Sequence, residues 1–340
     1  MHMPTNVIDF HAHFLERDVL QHAAGKTVLS GFGRRSPHLP PKGTPGDLVF
    51  QKMLSPELQI EDMDRLGVDI NVISSSTVIQ GTTWADPTTE LALIRRANDC
   101  AADWCAKYPG RFVGSFVLPL RDLNPAMSEF ERAVSALRLK VVNVSAHYDG
   151  YYLGHPRFQP FWEAVQSAKV VVFVHPEGTT DPWFQDFSLW NSVGQPIEEA
   201  KVMSSIIYEG IFEKYPDIKI VMAHGGGYLP HYVGRLNRNV TNMPDSIKNI
   251  SRKPSDYLPM FYYDTCTYNT ETTAGLIARV GVDRLVMGSD YAVGDPDPIG
   301  TLSRIPGASE EDRVRIRSET PLQLLHYCGA VAEGDGISGI

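Results

Sequence analysis

The sequence predicts an α/β fold, a (β/α)8 barrel of the TIM type, built as one domain over residues 1–340 with an insertion after the first strand. Three observations carry that prediction. Eight short β-branched or aromatic runs recur along the chain, each followed by a longer stretch with helical spacing. Several runs are apolar nearly throughout, as parallel strands covered on both faces require. No glycine-rich turn follows the first run, and such a turn is the usual mark of the rival doubly wound open sheet. A chain of 340 residues would also suit two average domains, but barrels of about 250 residues or more fold as one.

The elements follow in order. Strand one is read at residues 7–10. The alternation then breaks over about 15–56, where Gly31, Gly33, Pro37, Pro40, Pro41, Gly43, Pro45 and Gly46 accumulate. This stretch is too long for an ordinary connection and is read as an insertion over the barrel mouth, a disordered linker being the alternative. Ile60, Met63 and Leu66 mark a helical stripe that Gly67 stops. Strand two is read at 70–73 and strand three at 112–118, with Leu91, Ile94, Ala101 and Cys105 forming the stripe between them. Phe130, Ala133, Val134 and Leu137 lead to strand four at 140–144. Strands five to eight are read at 170–174, 218–222, 261–263 and 285–287, and Ser309 with Asp312 opens a late helix as a capping box.

Composition narrows the function. Hydrophobic residues make up 43% and charged residues 21%, which supports a packed core and excludes wholesale disorder. Lys and Arg number 31 against 40 Asp and Glu, so the net charge of -9 argues against nucleic-acid binding while leaving room for a small anionic ligand. No apolar stretch is long enough to span a bilayer, and the first residues lack the charged start and apolar middle of a secretory signal. Cys100, Cys105, Cys266 and Cys328 form no C-x-x-C pair and read as reduced thiols of a cytoplasmic protein.

Reactive groups of a barrel collect at the carboxyl ends of its strands. Strand one ends in Asp9-Phe10-His11-Ala12-His13, and residues two apart in an extended chain share a face, so both imidazoles can turn to one point. Strand five ends in Val174-His175-Pro176, strand six in Ala223-His224-Gly225-Gly226-Gly227, and strand eight in Gly288-Ser289-Asp290-Tyr291. A lone strand-end His is usually a satisfied imidazole, and a lone Asp a helix cap. Five such residues on one rim read as a site. His11, His13, His175 and Asp290 supply three nitrogens and a carboxylate, a set suited to Zn²⁺ or another divalent first-row ion. His224 is cast as the acid/base, because the glycines after it leave room beside the ring; a tight turn is their other reading. Trp84, Trp183 and Phe184 are read as walls of a flat pocket for an aromatic or conjugated acid, with core or lid packing the equal alternative.

With those residues in hand, the chain resembles the amidohydrolase superfamily. Within it the match is to the branch of 2-amino-3-carboxymuconate-6-semialdehyde decarboxylase and related non-oxidative decarboxylases. The likeness rests on residues 8–14, Val174-His175-Pro176, His224 with its glycines, Gly234-Arg235, residues 287–291, and the segment 56–64 preceding Gly67-Val68-Asp69. It implies one metal held by His11, His13, His175 and Asp290, usually zinc and sometimes manganese, with His224 or Asp290 handling the proton. It also implies a homodimer or higher homo-oligomer in which Arg235 reaches a substrate carboxylate in the neighbouring site, a task that suits its fork of donors. Dinuclear relatives carry a modified Lys on strand four; Lys140 stands only at the start of that strand, so one metal is expected. Residues 46–51 lack an Arg that would grip a second carboxylate, and a second Arg after the Gly-Arg pair is unmatched near residues 241–243, although Arg238 lies close, so the substrate is expected to differ. The implied reaction is metal-dependent decarboxylation. Hydrolysis or hydration by a metal-bound hydroxide is the alternative, and a barrel that only binds a ligand fits the complete rim set least.

Overall fold

β-Branched and aromatic runs form eight parallel strands in the computed structural model, which describes residues 6–24, 26, 40–75, 84–179 and 181–332. They are β1 (Ile8–Phe14), β2 (Ile70–Ser75), β3 (Phe112–Phe116), β4 (Val141–Val144), β5 (Val171–Val174), β6 (Lys219–Met222), β7 (Phe261–Asp264) and β8 (Leu285–Val286). Each pairs in parallel with the next. A parallel bridge between Ala12 and Tyr291 joins the last strand's extension to the first, with Phe10 N donating to Met287 O at 2.8 Å and His13 N to Tyr291 O at 2.7 Å. The sheet therefore closes as the predicted barrel.

Alternation along the strands sorts side chains to the two faces. Ile8, Phe10, Ile70, Val72, Val141, Val171, Phe173, Val221 and Val286 form one inner cluster, which Leu324, Leu325 and Cys328 of the C-terminal helix (Thr320–Cys328) join. The opposite phase, including Val142, Val172, Val174, Ile220 and Met222, packs in the larger cluster with the surrounding helices.

Strand β1 breaks this alternation. Its pairing with β2 shifts register between Asp9 and Ala12. Ile8 and Phe10 belong to the inner cluster, whereas Ala12 and Phe14 belong to the outer one. The irregularity re-aims the chain, as bulges do, so that His11 and His13 also turn inward; His11 packs edge-on against Phe173 with ring centroids 5.1 Å apart.

Local signals hold where they were read. Gly67 ends the helix Pro56–Leu66 in a left-handed conformation at φ 73°, donating back to Met63 and Asp64. Ser309 and Asp312 form the capping box. β1 is longer than the expected 7–10, because His13 and Phe14 still pair with Ser74 and Ser75. β3 and β8 are shorter than expected at their carboxyl ends, where the chain turns away as loop. Of residues 15–56, the described parts fold as helices Arg17–Ala23 and Pro45–Leu54, which pack Val19, Leu20, Phe50 and Met53 against Leu93 and Ile94. Gly31, Gly33 and Pro37 lie outside the described residues. Cys100, Cys105, Cys266 and Cys328 are free thiols, and among the described residues no helix is long and apolar enough to cross a membrane.

Candidate metal centre

The carboxyl ends of β1, β5, β6 and β8 bring His11, His13, His175, His224 and Asp290 together. The rings of His11, His13 and His175 form a triangle with every centroid pair 5.0 Å apart. His11 Nε2 stands 3.2 Å from His13 Nε2, and Asp290 Oδ1 lies 3.0 Å from His13 Nε2 and 3.4 Å from His11 Nε2. Ligand atoms about 2.0–2.1 Å from a tetrahedral ion sit roughly 3.3 Å from one another. The spacing of the His11, His13 and Asp290 donors is that of atoms sharing one cation.

Their protonation suits the task. Burial holds His11 below the usual imidazole range despite the nearby Asp290 and Asp264 carboxylates. His175 is pushed well below it by burial and by the imidazoles of His13, His11 and His224. Neutral imidazoles keep the lone pair that a metal needs. Burial works against charge on Asp290 as well, but His11, His13 and His224 outweigh it and keep the carboxylate ionised. The donor set fits one divalent cation.

His224 differs from the other three. Its Nδ1 sits 2.5 Å from Glu199 Oε1, a carboxylate with no solvent exposure on the helix Gly194–Tyr208. Burial alone would discharge this ring, but the Glu199 charge, its hydrogen bond and Asp290 together raise its pKa well above the usual range. His224 Nε2 faces Asp290 Oδ2 at 3.8 Å. Distance alone also admits His224 as a ligand, since donor atoms of His11, His175, His224 and Asp290 lie within 4.8 Å of one another. A charged imidazolium has no lone pair to give, which favours the proton-handling role.

The glycines explain how the helix comes so near. A Cβ on Gly227 would meet Pro196 O at 2.4 Å and Glu199 Oε2 at 2.6 Å. Only a bare backbone there lets the Glu199 helix reach His224.

The family profile described as Amidohydrolase matches residues 8–326. The chain belongs to the amidohydrolase family. It is 30% identical over 296 residues to a gamma-resorcylate decarboxylase of Polaromonas sp., covering 79% of this chain and 88% of that relative. It is 29% identical over 272 residues to the 2-amino-3-carboxymuconate-6-semialdehyde decarboxylase of Dictyostelium discoideum, covering 79% and 74%. Among solved structures, a dihydroxybenzoic acid decarboxylase from Polaromonas sp. with bound manganese and the inhibitor 2-nitroresorcinol matches at a TM-score of 0.82 and 25% identity, covering 97% of this chain and 99% of that one.

Arg235 is exposed on the helix Gly234–Asn242. Trp84 packs with the helices flanking β1, and Lys26 Nζ lies 5.2 Å from its ring centroid. Trp183 is 69% exposed and meets Phe184 edge to face at 4.9 Å.

Three residues escaped the sequence reading. Glu199 is one and Tyr268, whose hydroxyl donates to Asp290 Oδ2 at 2.8 Å, is another. The third is Asp264 at the end of β7: its Oδ2 lies 2.6 Å from His11 Nδ1, while its Oδ1 accepts from the backbone of Gly225 and Cys266, each at 3.1 Å. This carboxylate fixes the proton on Nδ1 and leaves Nε2 facing the centre. An Asp264→Asn change would turn an amide donor toward Nδ1 and favour the opposite tautomer. Metal affinity is expected to fall about 10–100-fold; competition against a colorimetric chelator measures it, and wild-type affinity would remove Asp264 from this role.

Proposed function

We propose that the chain is a metal-dependent non-oxidative decarboxylase, a C–C lyase acting on a carboxylated aromatic or conjugated acid. In this reading His11, His13, His175 and Asp290 hold one divalent cation. The observation that carries it is the convergence of those donors on one point, with His224, hydrogen-bonded to Glu199, facing the same point. The decarboxylase relatives support the same reading.

When bound, the cation supplies Lewis-acid stabilisation and an anchor for the substrate's oxygen atoms. The rest falls to the chain. His224 carries a proton on Nε2 and, beside Asp290 Oδ2, delivers it to the carbon that bears the carboxylate. As the new C–H bond forms, the C–C bond to the carboxylate breaks and CO₂ leaves. Glu199 keeps His224 oriented through Nδ1 and stabilises its charge before transfer.

Zn²⁺ is our first choice for the resident ion on the donor set; the manganese in the Polaromonas structure is the observation favouring Mn²⁺. We further propose a homodimer in which Arg235, exposed in one chain, serves the neighbouring site, and a pocket wall formed by Trp183 and Phe184. The packing of Trp84 favours a lid role for that residue. Four free thiols fit the reducing cytoplasm.

Product analysis tests the reaction class. Hydroxybenzoates, carboxymuconate-type acids and lactones are incubated with metal-reconstituted protein in D₂O. CO₂ release with deuterium replacing the carboxylate is the expected result. Net addition of water without CO₂ would make the protein a hydrolase or hydratase instead.

A further inference from the structure

The two oxygens of Asp290 have different neighbours. Oδ1 faces His11 and His13 at 3.4 and 3.0 Å. Oδ2 accepts the Tyr268 hydroxyl at 2.8 Å and stands 3.8 Å from His224 Nε2. Tyr268 arrives from the loop between β7 and the helix Thr270–Val280 with a left-handed backbone at φ 57°, a conformation that disfavours a bulky residue. His224 and Asp290 share that conformation, at φ 49° and 58°. The tyrosine ring contributes little to the core: the residue is 67% exposed. One side of it borders a cavity of about 380 Å³ shared with Cys266, Glu271, Asp295 and Arg304. What the loop achieves at this conformational cost is to turn one hydroxyl inward onto a carboxylate oxygen.

We propose that Tyr268 is a positioning residue that divides the labour of the Asp290 carboxylate. Its hydroxyl holds Oδ2 away from the metal-binding point, so that Asp290 contributes to that point through Oδ1 alone and keeps Oδ2 turned toward His224. A carboxylate binds a divalent cation through one oxygen or two, and a hydrogen bond on the second oxygen selects the first mode. The phenol keeps its proton throughout. Without the hydroxyl, Oδ2 swings toward the imidazole cluster, and the contact with His224 lengthens. This inference rests on the metal-centre reading above.

The test is Tyr268→Phe in the full chain, which removes one oxygen from a largely exposed side chain and spares the core. Wild type and variant are loaded with Co²⁺, and the visible spectrum reports coordination number without any substrate. The variant is expected to bind the same amount of Co²⁺, with weaker visible absorption as a further oxygen joins the ion. On the acid that releases CO₂ in the product screen, kcat is expected to fall about 10–100-fold, the usual effect of losing an outer partner of a ligand, with KM nearly unchanged. An unchanged Co²⁺ spectrum overturns the proposal, whether or not kcat falls; a fall in kcat without a spectral change would place the hydroxyl on the substrate instead. Should wild type itself bind no Co²⁺, the metal-centre reading fails first and this inference with it.

Discussion

Replacing His224 with Ala is expected to lower turnover by about 10²–10⁴-fold, the usual worth of a general acid/base, while the protein keeps its full complement of metal. The reasoning is electrostatic. His224 is hydrogen-bonded through Nδ1 to the buried Glu199 carboxylate, and Glu199 together with Asp290 drives its pKa upward. His11 is driven the other way chiefly by burial, and His175 by burial and the imidazoles of His13, His11 and His224, which suits both to the ligand role proposed for them. Removing His224 therefore takes away the proton source and leaves the donor triangle of His11, His13 and His175 in place. Steady-state kinetics with elemental analysis on the same sample separates the two functions. Full activity in the variant would withdraw its role, and loss of the metal would make His224 a ligand.

Stripping the protein with a strong chelator is expected to abolish turnover, and adding back Zn²⁺ or Mn²⁺ is expected to restore it. The stripped protein should also melt at a lower temperature, because an ion bound only by the native state stabilises it by mass action, about 2.7 kcal/mol at a hundred times the dissociation constant. Calorimetry on stripped and reloaded samples reads that difference. Turnover that survives verified metal loss would contradict the mechanism.

Much of this architecture is legible in the sequence because parallel strands buried on both faces leave an unmistakable run, as Val171–Val174 does. Rim residues are legible by the same logic: His175 and His224 are the first polar groups after their runs, and His11, His13 and Asp290 follow within three residues of theirs. Asp264 directly follows the run read at 261–263, so the same strand-end rule, applied to β7, finds it. The bulge in β1 left no comparable trace. Strict alternation would put His11 and His13 on the face opposite Ile8 and Phe10, and only the register shift after Asp9 brings both pairs inside. Glu199 was out of reach for a different reason. It sits in a helix rather than at a strand end, and Gly227 is what lets that helix bring it against His224. Tyr268 lies in a loop whose left-handed turn has no glycine to announce it. The role proposed for Arg235 depends on a second chain, which a single sequence does not place.

Crystals of the metal-loaded protein, measured on both sides of the absorption edge of the ion, test the central assignment most directly. One anomalous peak is expected within bonding distance of His11, His13, His175 and Asp290, with the His224 ring beside it still held by Glu199. A peak elsewhere, or none among those four side chains in active crystals, would contradict it.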